Sequence, residues 1–195
     1  MNRLSTEELY EQYCNNKTHS QCVKQISMLL FDEINSKLRV LPINDRKMLE
    51  SAALLHDIGY SISEKGHNKY SQKLILEYGL RDFSKEETEI ISCIARYHRG
   101  SLPDKNEHKI YNTLDKNERK TIKYLGGILK LADGLENRQI GKIQSISLNY
   151  NESEQLTELQ IKRLESEKIP DISEILHKKD LFEIAYKTQL VLRFV

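Results

Sequence analysis

The 195 residues carry almost no net charge: 30 lysines and arginines stand against 29 aspartates and glutamates, a formal balance of +1. A long-range field for gathering nucleic acid is therefore missing, although local groups of cations remain free to meet a phosphorylated small molecule. No apolar stretch approaches the roughly 18 residues that a membrane-spanning helix needs. The N-terminal MNRLSTEELYEQY is polar and acidic, unlike the basic-then-apolar pattern of a secretory leader. Neither secretion nor membrane anchoring is expected. Cysteine is scarce, and Cys14, Cys22 and Cys93 make an odd count with no CxxC spacing. Two of them fall on apolar helical faces, where cysteine acts as a small hydrophobe, so a reducing cytoplasm is the expected compartment. A glycine-rich phosphate loop is lacking too. The two glycines of LGGILK lie inside a helical pattern and read as close helix contact.

What is present is helical periodicity. The length suits one domain with a small appendage and is enough to bury a core without staples. Val23, Ile26, Leu30 and Ile34 recur at spacings of three and four, the mark of one buried stripe. NDRKMLESAALLHDIG predicts a helix capped by Asn44 and stopped by Gly59. HNKYSQKLILEYGL predicts a shorter one ending near Gly79. SKEETEIISCIARYHRG opens on a capping box, Ser84 to Glu87, and ends at Gly100. The charged segment from Pro103 to Asn117 reads as an exposed connection, and NERKTIKYLGGILKLADGLENR as a last long helix with Ile122, Leu125 and Leu129 inward.

After Gly141 the pattern changes to alternation. KIQSISLNY sets Ile146, Leu148 and Tyr150 on one face, and QLTELQIKRLE alternates Leu159 and Ile161 with charges, with YNESEQ as the turn between. One helix from about Asp171 to Lys187 and a closing strand in QLVLRFV complete the chain. The expected fold is mainly α, a helical bundle over residues 1–142 with a small strand-strand-helix-strand α+β cap over residues 143–195.

The histidines sit on the apolar stripes. Leu49, Ala52, Ala53 and His56 follow the spacing i, i+3, i+4, i+7, and Ile91, Ile94, Ala95 and His98 repeat it. His19 begins the stripe that continues through Cys22, Val23, Ile26 and Leu30, and Asp133 stands four residues beyond Leu129. Four helices thus each turn a titratable side chain inward. A single inward histidine is ordinarily a hydrogen-bonded core residue. Several buried together must be neutralised, paired or attached to a cation, and no inward lysine or arginine is evident at matching positions. A divalent metal satisfies neutral imidazoles and ionised carboxylates at once; the alternative is a dry, metal-free hydrogen-bond network. His108, in the charged connection, and His177, beside Lys178 and Lys179, read as surface residues. Cys93, on a buried helix, reads as packing rather than as a nucleophile.

The order His19, His56-Asp57, Asp133 resembles the H…HD…D signature of the HD superfamily of metal-dependent phosphohydrolases. AALLHDIGYSISEKGHNKYSQKLI, IARYHRGSLP, LKLADGLENR and KKDLFEIAYKTQLVL are similar to the C-terminal HD region of the exopolyphosphatase and guanosine pentaphosphate phosphatase family, and the likeness runs from about residue 15. The resemblance implies an HD-type bundle in which His19, His56, Asp57 and Asp133 ligate a metal, with His67 and His98 matching the histidines that hold a second one. Two departures stand out. The family often reads GHHKHS where this chain has Gly66-His67-Asn68-Lys69-Tyr70-Ser71. The actin-like phosphatase domains that precede this region in full-length members have no counterpart in these residues, so exopolyphosphatase activity is not carried over.

Mixed imidazole and carboxylate ligation suits one or two ions of Mn²⁺, Fe²⁺, Co²⁺, Ni²⁺ or Zn²⁺ better than Mg²⁺ alone. Such an ion activates water for attack on phosphorus, with Asp57 and His56 as the catalytic pair. Lys65, Lys69, Arg99, Arg138 and Lys142 lie near the ligands in sequence and are candidate phosphate-binding cations. The expected function is a metal-dependent phosphohydrolase acting on a nucleotide or other small phosphorylated substrate. The alternative is a non-catalytic regulatory module that binds polyphosphate, a phosphorylated nucleotide or a separately encoded exopolyphosphatase. A homodimer is expected.

Overall fold

The computed structural model describes residues 3–136, 142–164 and 172–195. Four of the helices in the described residues begin where short polar side chains take up orphan amides. Ser5 and Glu8 form a capping box that starts α1 (Thr6–Tyr13). The side chain of Asn16 accepts from the His19 amide at the head of α2 (Lys17–Lys37). Ser84 and Glu87 form the expected box before α5 (Lys85–Arg96), and Asp115 with Glu118 builds another before α7 (Lys116–Leu135).

Between these lie α3 (Ile43–Leu55), a 3-10 turn (Ile58–Ser61), α4 (His67–Tyr78) and a short α6 (Lys109–Thr113). Asn44 is not the cap of α3. That helix already starts at Ile43 after Pro42, and the Asn44 amide instead donates to Glu87. Gly59 is not a breaker with left-handed backbone either. The α-helix has closed by Leu55, and Gly59 is glycine because α4 comes so near. Gly79 does end α4, at φ 66.

The stripes close as their spacing requires. Val23, Leu30, Leu49, Ala52, Leu55, Ile91, Ile94, Ile122, Leu125 and Leu129 are all fully buried. The segment Pro103–Asn117 is not merely an exposed connection. It contains α6 and buries Tyr111 and Leu114. His108, expected on the surface, is buried: the Asp104 amide donates to its Nδ1 at 3.1 Å and the Tyr97 hydroxyl sits 2.9 Å from that same atom. An aromatic neighbour and a loop amide give it a place that no periodicity in so short a segment could reveal.

The remaining elements form a small α+β unit. β1 (Lys142–Asn151) pairs antiparallel with β2 (Leu156–Leu164), and β2 pairs parallel with β3 (Gln189–Phe194), in the order β1-β2-β3. Ile146 and Leu148 on β1 meet Leu159 and Ile161 on β2 in one buried layer. The register shifts between Ile143 and Ser145, so strict alternation fails at that end. A parallel return needs a crossover, supplied by two helices rather than the one expected: α8 (Ser173–Lys178) and α9 (Asp180–Tyr186), broken at Lys179. The break lets α9 turn onto α7. Gly126 and Gly127 of LGGILK make that approach possible, since a β-carbon on Gly127 would stand 2.9 Å from the Phe182 Cα. Among the described residues no helix is long and apolar enough to cross a membrane.

Candidate metal centre

Three histidines are built alike. His56 follows α3, His98 follows α5 and His67 opens α4, and each puts its Nδ1 against the carbonyl oxygen three residues earlier: Ala53 at 2.8 Å, Ala95 at 2.6 Å and Glu64 at 3.1 Å. A backbone carbonyl accepts only, so each Nδ1 carries the proton and each Nε2 is left with its lone pair. His19, in the first turn of α2, sets its Nδ1 against Glu136 at 2.5 Å and likewise turns Nε2 inward. The four Nε2 atoms converge in pairs, His19 with His56 and His67 with His98, each pair 3.2 Å apart.

The Asp57 carboxylate lies between the pairs. Oδ2 is 3.4 Å from Nε2 of both His19 and His56, while Oδ1 is 3.3 Å from Nε2 of His67 and 3.4 Å from that of His98. Asp133, from the last turn of α7, brings Oδ1 to 3.3 Å from His19 and 3.9 Å from His56. His56, His67, His98 and Asp133 are buried, and His19 and Asp57 keep one edge to solvent.

Burial opposes charge on His19, His56, His98, Asp57 and Asp133, and the neighbours decide the outcome. The Asp57 and Asp133 carboxyls are driven well below the ordinary carboxylate value because the surrounding imidazoles outweigh desolvation. His19 is raised to about 12, since Asp133, Asp57 and Glu136 together overcome its burial. His98 moves the other way: burial, reinforced by His56, holds it neutral with a pKa lowered to about 4.

The donor set fits a divalent ion. Two groups of ligand atoms each lie within 4.8 Å of one another, His19-His56-Asp133 and His56-Asp57-His98. Among the described residues, the buried Oδ1 of Asp57 accepts no hydrogen bond despite two imidazoles beside it. An orphaned carboxylate oxygen facing lone pairs of neutral imidazoles costs free energy unless something positive lies between them. Imidazole nitrogens mixed with carboxylate oxygens suit the later first-row divalent ions.

A cleft of about 390 Å³ opens on this cluster, lined by Asn15, Asn16, His19, Asp57 and Tyr60. The Tyr60 ring stacks on His67, with centroids 4.0 Å apart and planes 13° from parallel. Lys65, Lys69, Arg99 and Lys142 are exposed, and none of the four lines the cleft. Arg99 is held by its carbonyl, which accepts from the Asn68 amide at 2.9 Å, and Lys69 borders a separate groove with Gln72 and Lys73. Arg138 lies outside the described residues.

Three participants escaped the sequence. Glu136, Tyr60 and Lys178 all touch the cluster, and Lys178 corrects the expectation of no inward cation: its Nζ lies 2.7 Å from Asp133 Oδ2. Tyr60 stands four residues beyond His56, a helical spacing that could have drawn notice. Lys178 sits in a charged run that resembles a solvated face, and no local signal marks it.

Residues 2–184 match the family model described as Ppx/GppA phosphatase, domain III. A guanosine-5'-triphosphate,3'-diphosphate pyrophosphatase from Pseudoalteromonas translucida (strain TAC 125) is 26% identical over 92 residues, which cover 47% of this chain and 18% of that protein.

Proposed function

The chain belongs to the Ppx/GppA phosphatase, domain III family, and on that premise we propose that its histidine-aspartate cluster is an HD-type metal centre which hydrolyses a small phosphorylated substrate. The substrate class is a nucleotide or another phosphate ester or anhydride. The named activity of the Pseudoalteromonas relative puts guanosine polyphosphates first among the compounds to try, with polyphosphate beside them. One observation carries the reading: four imidazole Nε2 atoms face a shared carboxylate, and each ring's other nitrogen is already engaged.

His19, His56, Asp57 and Asp133 would hold a first ion, and His67 and His98 with Asp57 a second. A bound ion of the Mn²⁺, Fe²⁺, Co²⁺, Ni²⁺ or Zn²⁺ type supplies Lewis acidity, acidifying water and polarising a phosphoryl oxygen. The protein's own groups do the rest. Asp57, kept ionised by the imidazoles around it, bridges the two histidine pairs and orients the attacking water. His56 is locked by its bond to Ala53, so its lone pair cannot swing away. The side chains of Asn15, Asn16 and Tyr60 offer hydrogen bonds to phosphoryl oxygens at the cleft mouth. Lys65, Lys69, Arg99 and Lys142, exposed but not lining the cleft, would act on the anion at a distance rather than by contact.

The test begins with metal content after purification without chelator, where at least one first-row ion per chain is expected. Turnover of guanosine polyphosphates, polyphosphate, nucleotides and a generic phosphodiester is then measured with added Mn²⁺ or Co²⁺. His56→Ala and Asp57→Ala should abolish it while leaving a folded protein. A chain that binds neither ion sinks the reading, and turnover that survives both substitutions belongs to a contaminant. Metal and phosphate binding without any turnover moves the assignment to the regulatory module.

A further inference from the structure

We propose that Lys178, on α8 of the C-terminal unit, is a positioning residue of the metal centre, fixing the Asp133 carboxylate so that one defined oxygen faces the histidines. The inference rests on the proposed metal reading and deepens it.

Asp133 presents its two oxygens to different partners. Oδ2 accepts from the Lys178 ammonium at 2.7 Å, and Oδ1 looks toward Nε2 of His19 at 3.3 Å and of His56 at 3.9 Å. With Oδ2 engaged, the carboxylate cannot rotate freely about its own axis, and the oxygen left for a cation is the one already aimed at the imidazoles. Outer-shell partners of this kind orient ligands and restrain their movement before the ion arrives.

The lysine is itself held. Its side chain is 12% exposed, and Glu174, one turn earlier on α8, takes a second contact at 2.8 Å. Its stem lies across α7 at Gly134, the neighbour of Asp133, where an added β-carbon would meet Lys178 Cδ at 3.2 Å and Cβ at 3.3 Å. A larger residue at position 134 would push the ammonium off the carboxylate. The geometry therefore makes a contact 45 residues away in sequence part of the site's construction.

A control separates this role from simple docking of the C-terminal helices. Lys130, buried on α7, holds both oxygens of Asp180 at the start of α9, at 2.7 and 2.9 Å, and touches no residue of the cluster in these contacts. The full chain is titrated with Co²⁺ alone, following both affinity and the visible ligand-field bands, and the thermal midpoint of the metal-free protein is recorded for each variant. Lys178→Met is expected to weaken Co²⁺ binding about tenfold or more and to alter the bands. Lys178→Arg should restore most of both. Lys130→Met should shift the thermal midpoint and leave Co²⁺ affinity and spectrum as they were. Unchanged affinity in Lys178→Met overturns the assignment of Lys178 alone. Equal weakening in Lys130→Met overturns it in favour of docking. An unaltered chain that takes up no Co²⁺ overturns both this inference and the metal reading beneath it.

Discussion

Gly59 lies so close to His67 that a β-carbon on it would stand 2.0 Å from the His67 carbonyl oxygen and 2.5 Å from the Ser71 amide nitrogen. The Gly59 amide in turn donates to the Ser71 hydroxyl at 2.9 Å. Backbone meets backbone here, so no flexible side chain can yield. Gly59→Ala is expected to cost about 3 kcal/mol, at the upper end for overpacking, and to displace the start of α4 that carries His67. Chemical denaturation measures the first effect. Co²⁺ titration measures the second, and a wild-type midpoint would contradict the close approach.

His108 and His98 are both buried, yet only one faces the cluster. Two groups meet Nδ1 of His108, the Asp104 amide and the Tyr97 hydroxyl, so that nitrogen serves as an acceptor and the ring is neutral, in keeping with a pKa lowered first by burial. His108→Ala should cost about 1 to 2 kcal/mol through lost hydrogen bonds and leave Co²⁺ uptake intact. His98→Ala should remove uptake at the position facing Asp57. Equal loss of metal in both variants would refute the distinction.

Asp45 sets the pH dependence of stability away from the centre. It is 4% exposed, its carboxylate accepts no hydrogen bond among the described residues, and burial raises its pKa from 3.8 to about 6. The folded state then holds the proton more tightly than the unfolded one. The resulting penalty is absent below about pH 4, grows as the pH climbs to 6 and is complete above it. Asp45→Asn should therefore stabilise the protein by up to about 3 kcal/mol at pH 8 and by almost nothing at pH 4. Melting curves at the two pH values decide the matter, and an equal shift at both would rule out the titration.

Thiol reactivity offers another check. Cys93 is fully buried, burial pushes its pKa up to about 12, and the Gln72 amide donates to its sulfur at 3.4 Å. Cys14 and Cys22 are half-buried. In native protein at pH 8 a disulfide exchange reagent should titrate those two, with the third thiol appearing only in denaturant. Rapid reaction of Cys93 in the native state would contradict its burial.

Much of the fold was legible because helical stripes report which face of an element is apolar. The spacing that ends in His56 and in His98 marks both as inward, and the capping box at Ser84 marks where a helix starts, since these signals live within a few neighbouring residues. The crossover departs from the single expected helix for the opposite reason. KKDLFEIAY has no proline or glycine to announce a break, and the chain turns at Lys179 because α9 must reach the glycine-lined face of α7. The burial of His108 leaves no local signal because its partners, Asp104 and Tyr97, come from a loop and from the end of another helix.

His19, His56, His98 and Asp133 are assigned to inward faces by local pattern, because a period of 3.6 residues binds each of them to the apolar side chains that drive the helix inward. How those faces meet is a matter of three-dimensional packing. It set Asp57 between two histidine pairs, laid Tyr60 on His67 and brought Lys178 to the far oxygen of Asp133. Such contacts depend on where one element crosses another, and that crossing is fixed by close backbone approach at Gly59 and Gly127, which leaves no periodic trace in the chain.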